Sequence, residues 1–151
     1  MVLAGSDKGN LPFIKKLVNE LRLSDQIYFL GFIPREDLIK LYQQAFALVF
    51  PSFFGPDNLP PLEAFALGCP VIASDVRGTK EQLGDAALFI DPKKPREIAL
   101  AIKSLHDDLG LRQGLIQRGF KRARKWTAED YILGIFSILD EFEAIRRCWE
   151  G

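Results

Sequence analysis

Residues 51–63 read "PSFFGPDNLPPLE" and lie between an apolar run that ends at Phe50 and an amphipathic run that follows. Gly55, Pro56, Asp57 and Asn58 have the composition of a turn. Pro60 and Pro61 suit the first turn of a helix, where a missing N–H costs little. The stretch therefore reads as a strand-to-helix connection. In open α/β sheets, ligands bind beyond the carboxyl ends of the strands, where such connections sit. A helix starting there presents N–H groups and a positive dipole end, which suit a phosphate. The two prolines remove two donors. The amides of Gly55, Asp57, Asn58, Leu59, Leu62 and Glu63 stay as expected donors. Gly55 allows a ligand to approach the backbone closely. The Glu63 carboxylate can accept hydrogen bonds from two neighbouring ribose hydroxyls. On spacing alone a plainer reading stays open: a proline-initiated helix whose glutamate complements the dipole.

Short apolar runs rich in Val, Ile, Leu and Phe recur at 2–5, 27–31, 46–50, 71–74 and 87–90. They match strands covered on both faces. Amphipathic stretches separate them: 10–21, with Phe13, Ile14, Leu17, Val18 and Leu21 on one face; a helix begun by Pro34; 60–67, ended by Gly68 and Pro70; a short turn at 78–83; and 95–105. This alternation implies βαβ units with right-handed crossovers. From residue 111 the pattern is helical, over 111–125 and 127–149. Thr127 and Asp130 have the shape of a capping box. The last helix carries Tyr131, Ile132, Ile135, Phe136, Leu139, Phe142 and Ile145 as a stripe read as packing. The expected fold class is α/β. A Rossmann-like parallel sheet of about five strands carries flanking helices and a helical C-terminal extension, in a single domain over 1–151.

Lys+Arg and Asp+Glu are both 20, so the net charge is zero and there is no general footprint for nucleic acid or an anionic membrane. Cys69 and Cys148 lack metal-ligand spacing and read as free thiols of a cytoplasmic protein. No apolar run is long enough to span a membrane. His106, the only histidine, lies among polar residues and reads as surface. "RGFKRARKW", residues 118–126, reads as a solvated basic helix face. Arg77 and Glu81 read as loop structure at another strand end, and Gly84 and Asp85 as a turn.

The stretch 47–102, "ALVFPSFFGPDNLPPLEAFALGCPVIASDVRGTKEQLGDAALFIDPKKPREIALAI", resembles the C-terminal domain of retaining glycosyltransferases with the two-domain GT-B architecture, family 4. "LAGSDKGN" at 3–10, "IYFLGFIPREDLIKLYQQA" at 27–45 and Trp126 before the last helix add to it. The resemblance implies a nucleotide-sugar donor site and no further cofactor or metal. Glu63 matches the second glutamate of the family's Glu-x7-Glu pattern, which binds the donor ribose. Asn58 and Leu59 align with the loop whose amides meet the donor sugar and diphosphate, and Leu62 stays an expected amide donor beside it. Gly31, Phe32 and Ile33 match the turn near the base, and Ser52 lies close to the site.

Two departures stand out. Gly55 occupies the position of the first glutamate, so Asp57 or Asn58 would have to replace it. The family's first strand, with its phosphate-neutralising Arg and Lys, and the acceptor-binding N-terminal domain have no counterpart in this sequence. Lys8 and Lys80, near strand ends, are candidate substitutes. The chain then reads as a fragment, inactive in isolation, whose missing strand would lie between the strands at 2–5 and 46–50. Direct pairing of those two strands, another chain at the gap or a homodimer would close the sheet. The alternative is a non-catalytic nucleotide-binding or interaction module on the same fold.

Overall fold

The computed structural model describes residues 1–54, 58–125 and 128–149, and the side chains of the last helix over 129–142. Gly55, Asp57, Trp126 and Thr127, and the side chains of Ile145 and Cys148, lie outside the described residues. The chain forms two compact units, Met1–Leu41 and Tyr42–Gly151.

In the first unit, β1 (Val2–Ala4) pairs in parallel with β2 (Tyr28–Gly31), with a register shift between Leu3 and Ala4. The crossover is α1 (Leu11–Glu20). Asp7 Oδ1 prepares its start by accepting from Gly9 N at 2.7 Å and Leu11 N at 3.3 Å. Of the apolar face expected on α1, Val18 is buried, while Phe13 and Leu21 stay largely exposed. A two-stranded ladder is too narrow to cover a whole helix face. Gly31 ends β2 with φ 64°, a left-handed conformation that glycine adopts without strain. Next comes α2 (Arg35–Gln44), entered through Pro34.

The second unit is built on β3 (Leu48–Phe50), β4 (Val71–Ser74) and β5 (Ala87–Ile90), all parallel in the order β3-β4-β5. Every residue of the central strand β4 is buried, as its unbroken apolar run demands. Ile72 and Ile90 pack with Leu105 of α5 (Pro95–Asp107) and Leu115 of α6 (Leu109–Ala123). Asp108 sits in extended backbone between these helices and caps α6, its Oδ1 accepting from Leu111 N at 2.8 Å. That cap starts α6 two residues before the periodicity indicates.

Between β3 and β4 runs α3 (Leu59–Ala66). It ends at Gly68, φ 74°, in a Schellman motif: Cys69 N donates to Ala64 O and Gly68 N to Phe65 O. After β4 come α4 (Thr79–Leu83) and a 3-10 turn, Gly84–Ala86. The chain continues into α7 (Ala128–Trp149).

The α/β class, the five parallel strands and the helical C-terminal stretch hold. Their hydrogen bonding is divided between two ladders, β1-β2 and β3-β4-β5. Direct pairing of the 2–5 and 46–50 strands is thus not part of the fold. The stripe on α7 is not packing within this chain either: Tyr131, Ile132, Ile135, Phe136, Leu139 and Phe142 are all exposed. The core they would have covered is already closed by α5 and α6. No described helix is long and apolar enough to cross a membrane.

Candidate functional site

The carboxyl end of β3 leads through Pro51–Phe54 to Asn58 and α3. Ser52 closes a tight turn, its Oγ donating to Phe54 O at 2.5 Å and accepting from Phe54 N at 3.3 Å. Asn58, in extended backbone, is the N-terminal boundary of α3. Its main chain is clamped by the side chain of Gln82 on α4. Asn58 N donates to Gln82 Oε1 at 3.3 Å, and Gln82 Nε2 donates to Asn58 O at 3.1 Å.

That clamp changes the inventory of phosphate donors. The Asn58 amide, expected to be available, is already committed to Gln82. Pro60 and Pro61 have no N–H. Leu62 and Glu63 lie where intrahelical bonding begins. Leu59 is the first residue of the helix, where an N–H has no intrahelical partner, and its side chain is exposed. Among the described residues, Pro60 and Pro61 and the clamp on Asn58 leave the helix entrance with fewer donors than the sequence offered.

A shallow concavity opens beside Asn58, lined by Phe50, Ser52, Pro61, Ser74, Thr79 and Gln82 among others. Ser74 and Thr79 are buried, and their hydroxyls find no hydrogen-bond partner among the described residues. Leu62 is half-buried in α3, and it and Glu63 are not among the lining residues. α3 begins at Leu59, one residue before the prolines indicate, so Glu63 lies just past the first turn rather than in it; it is exposed, and its Oε2 accepts from Tyr42 Oη at 3.2 Å. Burial, and next the nearby Glu63 charge, push the Tyr42 phenol far above its ordinary pKa, so it stays a neutral donor.

Gly31, Phe32 and Ile33 end β2 and begin the turn toward α2 in the first unit, and the Phe32 ring is 86% exposed. Lys80 is not held in reserve for a phosphate. Its Nζ lies 2.6 Å from Asp75 Oδ2 and over the Phe89 ring. Lys8 and Arg77 are exposed. His106 is exposed and beside Asp107, as its polar surroundings indicate. Cys69 is a free, buried thiol, and burial pushes its pKa up. Among the described residues, no group of His, Cys, Asp or Glu is placed to hold a metal.

The basic run on α6 is not simply a solvated face. Arg122 Nε donates to Gln82 O at 2.7 Å and its Nη2 to Glu81 O. Arg118 Nε donates to Asp85 O at 2.7 Å. Carbonyls at the end of a helix lack intrahelical donors, and guanidinium groups supply them here. Glu81 and Asp85 thereby serve local loop structure through their backbones. Tyr42, Gln82 and Arg122 are the site residues that sequence reasoning missed. No local signal marks them, because each acts on a residue at least 21 positions away.

The family model for glycosyl transferases group 1 matches residues 1–122. The chain belongs to that family. As a group 1 glycosyltransferase, it is 40% identical over 131 residues to O-antigen chain mannosyltransferase B of Escherichia coli, covering 86% of this chain and 34% of that protein. It thus spans about a third of that relative's length. Sucrose-phosphate synthase from Thermosynechococcus elongatus superposes with a TM-score of 0.82 at 29% identity, over 95% of this chain and 38% of that one. Anabaena HepE in complex with UDP has the same fold, with a TM-score of 0.80 at 22% identity over 93% and 40%. The architecture is that of half a GT-B glycosyltransferase.

Proposed function

We propose that this group 1 glycosyltransferase chain is the C-terminal, donor-binding part of a retaining enzyme that transfers a hexosyl group from a nucleoside diphosphate sugar. The observation that carries the reading is Glu63: an exposed carboxylate near the start of α3, the helix that follows β3, hydrogen-bonded by Tyr42. Placed there, it accepts from both ribose hydroxyls of the donor. The Leu59 amide and the positive end of α3 meet charge developing on the diphosphate leaving group. Gly31, Phe32 and Ile33 flank the base, while Ser52, Gly55, Asp57, Asn58 and Leu62 shape the sugar and diphosphate end. The mannosyl transfer named for the Escherichia coli relative supports a hexose as the transferred group. The complex of Anabaena HepE with UDP supports a nucleoside diphosphate carrier.

The acceptor side belongs to a separate N-terminal domain, and this chain alone is inactive. In each ladder, β1 and β3 pair on one edge only, which supports completion by that domain or by another chain. The free, buried Cys69 supports a cytoplasmic setting.

Titration of UDP, GDP and ADP against the wild-type chain and Glu63→Ala tests the donor site. Binding of one nucleotide, weakened by the substitution, is the expected result. Tight binding unaffected by Glu63→Ala moves the nucleotide to another pocket. The second reading, a non-catalytic module, is favoured by Gly55 in place of the first glutamate and by the reduced set of donors among the described residues at the entrance of α3. Absence of any nucleotide binding would support it.

A further inference from the structure

An exposed glutamate samples several rotamers, and fixing one at binding costs conformational entropy. At Glu63 that freedom is restricted by a contact within the fold. Its Oε2 is hydrogen-bonded by Tyr42 Oη at 3.2 Å, across 21 residues of sequence. Tyr42, at the end of α2, is 8% exposed, so its ring is fixed by packing while its hydroxyl reaches the surface carboxylate. A buried tyrosine needs a partner for its O–H. A backbone carbonyl would serve equally for packing alone, yet the partner is the one carboxylate of α3.

We propose that Tyr42 is a positioning residue for nucleotide recognition: its phenol O–H orients Glu63 toward the paired hydroxyls of the donor's ribose. The inference rests on the donor-site reading and deepens it. A carboxylate has about four acceptor sites, so one bond from Tyr42 leaves enough for two ribose hydroxyls. At 3.2 Å the contact is longer than a tight charge-assisted O–H···O⁻ bond, so it biases the carboxylate's direction rather than locking it. A tyrosine that only packed would affect stability, or all nucleotides alike. One that orients Glu63 affects only ligands that carry both hydroxyls.

The experiment uses the full chain. Of UDP, GDP and ADP, the tightest binder is titrated beside its 2′-deoxy counterpart, against wild type, Tyr42→Phe and Glu63→Gln. Tyr42→Phe removes one oxygen and keeps the ring. It should weaken the ribonucleotide by roughly threefold to tenfold and the deoxynucleotide by less than about twofold, so the ribose preference falls. Glu63→Gln should lower that preference further. If Glu63→Gln abolishes the preference and Tyr42→Phe leaves it intact, the positioning role is overturned and the donor site stands. If the wild type binds no nucleotide, or Glu63→Gln leaves the preference unchanged, the donor-site reading fails and the positioning role with it. Should Tyr42→Phe not fold, Tyr42→Leu also removes the O–H, keeps an apolar side chain at the buried position and leaves Glu63 unchanged. A reduced ribose preference supports the proposal, and an unchanged one overturns it.

Discussion

Gly119 of α6 lies against Phe65 of α3 with no room for a side chain: a Cβ at 119 would stand 2.9 Å from Phe65 Cδ1 and 3.3 Å from its Cγ. Phe65 is 1% exposed and its ring cannot swing away. Phe120 makes the reciprocal contact, its Cζ lying 2.9 Å from where a Cβ on Gly68 would be. The two glycines let α3 and α6 approach closely, and that approach sets the seat of the helix carrying Glu63.

Gly119→Ala should therefore destabilise the protein although alanine favours helix. Overpacking of this kind costs about 1–3 kcal/mol, against a helix-propensity gain of up to about 1 kcal/mol. Chemical denaturation measures the difference. A more stable Gly119→Ala protein would show that the helices can part without cost.

The clamp of Gln82 on Asn58 gives a second expectation. Gln82→Leu has similar bulk but leaves Asn58 N and O without their partner in a half-buried position. The cost should be about 1–3 kcal/mol. Faster amide exchange should be confined to Asn58 and the first turn of α3. Uniform exchange across the second unit would mean that the clamp is not a local device.

Arg122 and Arg124 sit two residues apart on one basic run, and Arg122 donates to carbonyls of α4. Arg122→Met removes the donors to Gln82 O and Glu81 O and should cost about 1–3 kcal/mol. Arg124 is exposed, so Arg124→Met should stay within about 0.5 kcal/mol. Equal effects in paired thermal melts would refute the structural role of Arg122.

Asp91, Lys94 and Glu97 set an acid-sensitive point at the start of α5. The Lys93 amide holds the Asp91 carboxyl below its usual range, and the Asp91 amide does the same for Glu97, with Lys94 adding to both. A carboxylate whose pKa is depressed by folding contributes stability that is complete above its unfolded pKa, about 4. That contribution is lost as pH falls through the folded value. Glu97→Gln should accordingly show a shallower fall in Tm between about pH 5 and pH 3 than wild type, with melts in that window as the check. Parallel curves would remove Glu97 from the account.

Much of the fold was legible because its signals are local. The run at 71–74 announced a buried strand and is one, wholly covered. Gly68 before Pro70 announced a helix end and forms a Schellman motif. The stripe on α7 was misread as packing, since periodicity reports which residues share a face but not what covers it. The basic run was misread as solvated because charge alone does not reveal a carbonyl waiting across the fold.

The sequence by itself determined the strand–helix alternation, the glycine and proline boundaries and the placing of Glu63 near the start of a helix that follows a strand. Those follow from backbone sterics and short-range periodicity, which act within a few residues. Only the tertiary structure decided that the strands fall into two ladders, that Gln82 occupies the Asn58 amide and that Tyr42 holds Glu63. Those depend on groups 21 or more residues apart meeting at hydrogen-bonding distance, and no local pattern encodes such a meeting.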